Sequence, residues 1–247
     1  MLRGLGGSNA PRLPGEFGKV PKIRQLAGFL PYTQQIAACD AQIQQQYSAM
    51  KPRWEGTAPL PTPKPHRKRS KNEPTFDVRA DIIRLTGVDI TAVDGIGDSL
   101  AQTMLAEIGT DMSKWPNEKQ FTSWLGVAPR NDVSGGKVLR SRTLPSNNRA
   151  GQAFRQAATA VSNSSSAFGA FYRRKRAQGG PLHAQVATAN KIARTVYHML
   201  KYHVQYEDMG VEEFERRHRE RDIKALRNRA AKLGLTLVDS QSVQSVA

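Results

Sequence analysis

A mainly α-helical fold is predicted by three observations. Apolar residues recur at spacings of three and four, glycines fall where these stripes end, and one segment, 128–147, lacks a helical period. The first stripe is Ile36, Cys39, Ile43, Tyr47 and Met50, within a helix from about Ile23 to Met50. Such a stripe is buried only against another helix, so residues 20–50 read as a coiled-coil-like helix that Pro31 either kinks or starts. Phe76, Val78, Ile82, Ile83 and Leu85 predict a second helix stopped by Gly87. Asp98 is the expected N-cap of a third, with Leu100, Ala101, Met104, Leu105 and Ile108 on one face and Gly109 at its end. Asn117 to Leu125 follows Pro116 and stops at Gly126. Gly135-Gly136 would break any helix across 128–147, which therefore reads as an irregular loop or a small β-hairpin. Helices resume with Ala150, Ala153, Phe154, Ala157 and Val161, then Phe168, Phe171 and Tyr172. A long helix follows, with Val186, Ala189, Ala193, Val196 and Leu200 in register, and a heavily charged one covers 211–232. The predicted organisation is a disordered N-terminus (1–19), the coiled-coil-like helix (20–50), a basic proline-rich linker (51–74), a helical domain (75–238) and a disordered tail (239–247).

Composition narrows the partners. The 247 residues carry a net charge of +16, which suits a polyanion. A ribosomal or membrane-surface protein would share that balance, and the mean hydropathy of −0.55 implies much polar surface. The single cysteine, Cys39, excludes an intramolecular disulfide and a thiolate metal cluster, and the five histidines lack compact zinc spacing. No apolar run approaches the roughly 20 residues of a membrane span, and residues 1–15 lack the core of a signal peptide. A cytoplasmic protein that meets nucleic acid is the simple expectation.

Two segments carry chemistry. In Val93–Gly109 a Gly-x-Gly turn, Gly95-Ile96-Gly97, feeds directly into a helix. Free backbone N–H groups and a helix N-terminus favour a phosphate there, as in the hairpin of helix-hairpin-helix modules that grip the DNA backbone. A tight interhelical turn that only packs explains the same residues. In the second segment Ser134 precedes Gly135, Gly136 and Lys137, among Arg130, Arg140 and Arg142. A serine nucleophile attacking phosphate needs an exposed hydroxyl, room for the phosphate and cations to stabilise the pentacovalent state. A plain loop is the bland explanation. Arg149 and Arg155, and the run Arg173-Arg174-Lys175-Arg176, are further candidates to face nucleic acid, against a solvated helix face. His66-Arg67-Lys68-Arg69 either touches nucleic acid or is solvated linker. Asp94, Asp98 and Glu107 read as capping and surface charge rather than metal ligands.

Taken together and in order, LTGVDITAVDGIGDSLAQTMLAEIGTD, FTSWLGVAPRNDVSGGKVLRSRT, NNRAGQAFRQAA and FYRRKRAQGGPLHAQVATANKIARTVYHMLKY resemble the transposase domain of IS110-family insertion sequences, over about residues 78–206. The resemblance implies a largely helical fold, a catalytic serine at Ser134 and DNA joined through a phosphoseryl intermediate. It also implies a target chosen by pairing to an element-encoded guide RNA. Complete family members begin with a RuvC-like domain whose Asp-Glu-Asp-Asp set holds divalent metal. Nothing before residue 20 suits that domain, so the chain is expected to begin partway through a transposase. It would bind no cofactor itself, Mg²⁺ being expected only with the RuvC-like domain, and would be inactive or very slow alone. A dimer or tetramer is expected, because recombination needs more than one serine. Two other readings stay open: an inactive remnant that only binds nucleic acid, and a helix-hairpin-helix repair accessory protein. The latter leaves Ser134–Lys137 unexplained.

Overall fold

The computed structural model describes residues 20–52, 74–143, 145 and 148–238, without the side chains of 20–31, 140 and 141. The expected disordered ends at 1–19 and 239–247, and most of the linker with His66–Arg69, lie outside the described residues. The fold is mainly helical. Helices α1 (Val20–Ala49), α2 (Val78–Thr86), α3 (Asp98–Ile108) and α4 (Glu118–Trp124) precede strands β1 (Arg130–Ser134) and β2 (Lys137–Arg142). Helices α5 (Arg149–Ala160), α6 (Ala167–Tyr202) and α7 (Gly210–Lys232) follow.

The chain forms two compact units, one ending at Gln46 and one beginning at Tyr47. In the first, α1 runs through Pro31, so that proline does not start the helix. Its stripe residues Ile36 and Cys39 are exposed and Ile43 is half-buried.

In the second unit, helix ends follow local side-chain chemistry. Asp77, Asn117, Asn148 and Ser166 accept hydrogen bonds from the first-turn N–H groups of α2, α4, α5 and α6. The N-cap of α3 differs from expectation: it is Gly97, in extended backbone. Asp98 is already helical, and its carboxylate suits the positive end of the helix dipole. Helix α6 is broken at Gly179 and Gly180, the latter with φ of +80°, and Pro181 starts the second half. Proline tolerates a first helical position because its missing N–H would be unpaired there anyway. This break explains why the sequence shows two separate apolar stripes.

The core is built around α5. Its Ala150, Ala153, Phe154, Ala157 and Ala158 are buried against Ala101, Met104 and Ile108 of α3 and Ile192, Ala193 and Val196 of α6. Glycines at two points let backbone meet backbone. Gly95 lies in a turn closed by Ile96 N donating to the Val93 carbonyl (3.1 Å). Its φ is +84°, and a Cβ there would sit 2.5 Å from the Ala157 carbonyl oxygen. A Cβ on Gly151 would collide with the Leu125 carbonyl oxygen. Beside α5, the Phe121 ring packs on Trp115 (5.1 Å), Tyr197 (5.6 Å) and Phe154 (6.2 Å). The buried Tyr197 hydroxyl donates to the Trp115 carbonyl (2.9 Å), which satisfies a polar group that would otherwise cost stability.

A strap after α6 ties distant elements together. Gln205 accepts from Asp89 N (3.1 Å) and donates to the Gly87 carbonyl (3.2 Å), and Asp208 accepts from Ala167 N (3.2 Å). Helix α7 then docks by Phe214 onto Ala167, Ala170 and Phe171.

Two outcomes follow for stability. Gly95→Ala should lower stability by roughly 1–3 kcal/mol, through positive φ and overpacking on α5. Gly97→Ser, with open space at its Cβ and an N-cap position that serine favours, should change it by a few tenths of a kcal/mol at most. Urea unfolding of both variants checks the contrast. Glu118 supplies a pH dependence. The hydrogen bond from Arg194, above all, holds its carboxyl below the ordinary glutamate range; burial opposes it, and a weaker hydrogen bond from His198 adds to the lowering. A depressed carboxyl pKa contributes stability above the unfolded value and loses it as pH falls through the folded one. The stability gap between wild type and Glu118→Gln should therefore be full at neutral pH and close in acid.

Candidate nucleic-acid interface and serine hairpin

The segment without helical period is a β-hairpin, the second of the two forms expected. Its turn is Gly135-Gly136, with φ of +55° and +76° between the paired residues Ser134 and Lys137. Positive φ at both central positions is what a two-residue type I′ turn requires, so the glycines are there for the turn itself. Neither glycine has an atom within 4 Å of an added Cβ, so the space beside Ser134 is open.

Register decides which side chains share a face. Arg130 pairs with Arg142, Asp132 with Arg140, Val133 with Val138 and Ser134 with Lys137. The register shifts between Asp132 and Val133, and the extra residue on β2 is Leu139. Alternation along β1 puts Arg130, Asp132 and Ser134 on one face, and directly opposed residues share it. Lys137 and Arg142 therefore join Ser134, and Val133 and Val138 lie on the other face. If the same residues paired without the bulge, Arg142 would fall on the face opposite Ser134. Arg140 holds the backbone position opposite Asp132, and its side chain lies outside the description. The described hairpin side chains are all exposed, including Val133 (59%) and Leu139 (71%). An isolated two-stranded ribbon is marginal in water, so its root matters.

That root is pinned by groups from other helices. Val127 is fully buried, and Val127 N and Ala128 N both donate to the Thr122 carbonyl (3.1 Å each). Arg155 Nη2 donates to the Gly126 carbonyl (2.7 Å), and Asn190 Nδ2 to the Val127 carbonyl (3.3 Å). Arg155 is thus engaged in holding the hairpin's base. Asn190 was not singled out in the sequence, because an asparagine in an apolar helical stripe gives no sign of what it faces. Beside the root lies a cleft of about 560 Å³ between Pro129, Arg142, Phe171, Leu182, Val186 and their neighbours.

The two candidate phosphate elements are not brought together. Glu107, at the end of α3, pairs with Arg149, at the start of α5 (3.4 Å), while Gly95 packs on Ala157 near the far end of α5. Twelve helical residues separate these ends by about 18 Å. Arg149 is exposed at the Glu107 end of the α3–α5 pair, whereas Gly95 and Gly97 sit at the opposite end. Gly97 is exposed and open, but the freedom of Gly95 serves the contact with α5. Of the basic run, Arg173 donates to the Ser164 carbonyl (2.8 Å), Arg174 pairs with Asp222 (3.5 Å) and Lys175 lies 5.8 Å from the Phe171 ring centroid. Arg176 is exposed.

Among the described residues no group of three His, Cys, Asp or Glu side chains is arranged to hold a metal ion. The divalent metal implied by the resemblance therefore does not fit the residues described. No described helix is long and apolar enough to cross a membrane.

Residues 89–173, from the α2–α3 connection through the hairpin into α6, match the family Transposase IS116/IS110/IS902. Over these residues the chain is similar to transposases of this family. It is also similar to the mini-circle transposase for IS117 of Streptomyces coelicolor, with 34% identity over 109 residues. That match covers 43% of the chain and spans about a quarter (26%) of the relative's length. The Ser134 hairpin, the Gly95–Gly97 turn and Arg149 and Arg155 all lie inside the matched residues 89–173. Lys191 and all of α7 lie beyond it.

The two arginines of α5 should separate by experiment. Arg155→Ala leaves the Gly126 carbonyl without its partner and should cost about 1–3 kcal/mol in urea unfolding. Arg149→Ala removes an exposed ion pair and should change stability by under about 0.5 kcal/mol.

Proposed function

We propose that this chain is a DNA transposase component in which Ser134 is the nucleophile. The observation that carries the reading is the hairpin register, which shares one exposed face among Ser134, Arg130, Lys137 and Arg142. The family match over residues 89–173 supports it independently. In the proposed step the Ser134 oxygen attacks a DNA phosphate and forms a P–O bond. The bond to the 3′-oxygen breaks, and that oxygen takes up, through solvent, the proton lost by the serine hydroxyl. The product is a phosphoseryl link and a free 3′-hydroxyl. In the reverse sense, a 3′-hydroxyl attacks the phosphoserine and joins the strands. Arg130, Lys137 and Arg142 stabilise the charge on the pentacovalent phosphate, with Arg140 beside them in the strand. The open glycine turn admits the phosphate, and an exposed two-stranded ribbon is of a width that enters a DNA major groove.

The partners in this reading are DNA, an element-encoded guide RNA, and further copies of the chain. Strand exchange requires more than one serine, and the exposed Ile36 and Cys39 on α1 support helix pairing. Arg149 and Arg176 contribute phosphate contacts. A metal-holding RuvC-like domain would supply electrostatic assistance that the described residues do not.

Covalent trapping on nicked DNA, read on a denaturing gel, tests this with the full chain, alone and with a RuvC-like domain added. A retarded band is expected in wild type with the added domain, and none in Ser134→Ala. DNA affinity should stay within about twofold on loss of the hydroxyl, because it is uncharged and adds no phosphate neutralisation. No band in any lane, with salt-sensitive binding intact, would establish a nucleic-acid-binding protein without this chemistry.

A further inference from the structure

Beyond the transposase match, α6 and α7 enclose a cation with unusual surroundings. The half-buried Lys191 ammonium lies 4.6 Å from the Phe171 ring centroid, 4.7 Å from Phe214 and 5.6 Å from Phe168. No carboxylate is within ion-pair distance of it among the described residues. Burial, and then the Arg221 charge, press its pKa below the lysine range, while Asp208 acts more weakly in the other direction. It opens into a cleft of about 400 Å³ lined by Lys191, Met209, Phe214, Arg217, Glu220 and Arg221.

The charges around this cleft do not cancel. Arg217 is held by Glu213 (2.5 Å) and Glu220 by Arg216 (2.8 Å). Arg221 donates from Nε to the Arg217 carbonyl (3.1 Å), which leaves its terminal amino groups free of any ion pair among the described residues. Tyr206, stacked on Phe168, is held neutral, because burial and then Asp208 push its phenol well above the usual range. Two uncompensated cations, Lys191 and Arg221, thus face one cleft whose nearest carboxylates already have partners. Aromatic faces stabilise an ammonium but do not neutralise it.

We propose that this cleft binds a phosphate oxyanion, with Lys191 and Arg221 as its donors. The occupant is a phosphodiester of a polynucleotide. Two features of the surface favour a chain of phosphates over a single free ion. From Ile223 to Lys232, α7 carries Lys224, Arg227, Arg229 and Lys232 and no acidic residue, so the cationic track continues outward from the site. Phe214 also borders a second cleft, where Arg173, Arg174 and Arg219 outnumber the carboxylates Glu215 and Asp222. The site stands whether or not Ser134 is the nucleophile.

The test measures binding of a fluorescent DNA duplex to the full chain across salt concentrations, for wild type, Lys191→Met and Arg221→Gln. Each variant should flatten the logarithmic salt dependence by roughly one unit. A bound phosphate would also raise the Lys191 pKa, by placing a negative charge beside its ammonium. Calorimetry in alkaline buffers of differing ionisation heat should then show proton uptake on binding in wild type and less in Lys191→Met. Lys191→Met relieves a buried repulsion, so its urea midpoint should hold or rise while its affinity falls. A lysine that merely packs would give the opposite pattern: a lowered midpoint with unchanged salt slope and proton uptake, which would overturn the proposal. Titration with inorganic phosphate separates the sources. If it saturates the wild-type site, raising the unfolding temperature in a Lys191-dependent way, while the duplex slopes of all three proteins coincide, the polynucleotide assignment is overturned.

Discussion

The close approach of backbone to α5 is the constraint on which the remaining structure depends. Gly95 presses a turn against the Ala157 carbonyl, Gly151 takes the Leu125 carbonyl against its own Cα, and alanines fill the positions between. Small residues let three elements share one helix at short range, where dispersion and area burial are collectively large. Larger side chains at these points would hold α3 and α6 apart. The distance between them sets where the Gly126–Val127 carbonyls meet Arg155 and Asn190, and hence where the hairpin leaves the body.

Electrostatics divides the basic residues into two groups. Arg84, Arg155 and Arg173 donate to backbone carbonyls, and Arg79 pairs with the buried Asp89 (2.6 Å). These cations are part of the fold, and removing one leaves an acceptor or a charge without its partner. Arg149, Lys137, Arg142 and the end of α7 are exposed and contribute little to stability, so they are available to a polyanion. Net charge alone does not make this distinction, because an arginine counts the same in both roles.

The hairpin shows how little a local change needs to be in order to matter. Because strand side chains alternate with a period of two, the bulge at Leu139 keeps Arg142 on the face of Ser134, whereas unbulged pairing of the same residues would move it across the ribbon. The fully exposed ribbon contributes almost nothing to the core, so its residues answer to turn geometry and to whatever meets its two faces. The body answers to packing. Among the described residues the two parts are joined through the buried Gly126–Val127, where stability and the candidate chemistry are coupled.

By itself the sequence determined the helical class, because apolar spacing and terminating glycines are local signals. It gave the stops at Gly87 and Gly109 and the helix from Asn117 after Pro116, and it singled out Ser134–Lys137 and Gly95–Gly97 as unusual. The position of one cap was misjudged: the carboxylate of Asp98 suits the first turn as well as the cap, and only the backbone angles of Gly97 separate the two. What the tertiary structure decided is where each signal points. That Gly95 faces α5, that Arg155 and Asn190 hold the hairpin's root, and that Lys191 meets three aromatic rings across α6 and α7 are contacts between residues far apart in the chain. Such contacts depend on helix rotation and on the register of one bulge, neither of which leaves a local pattern in the amino acids.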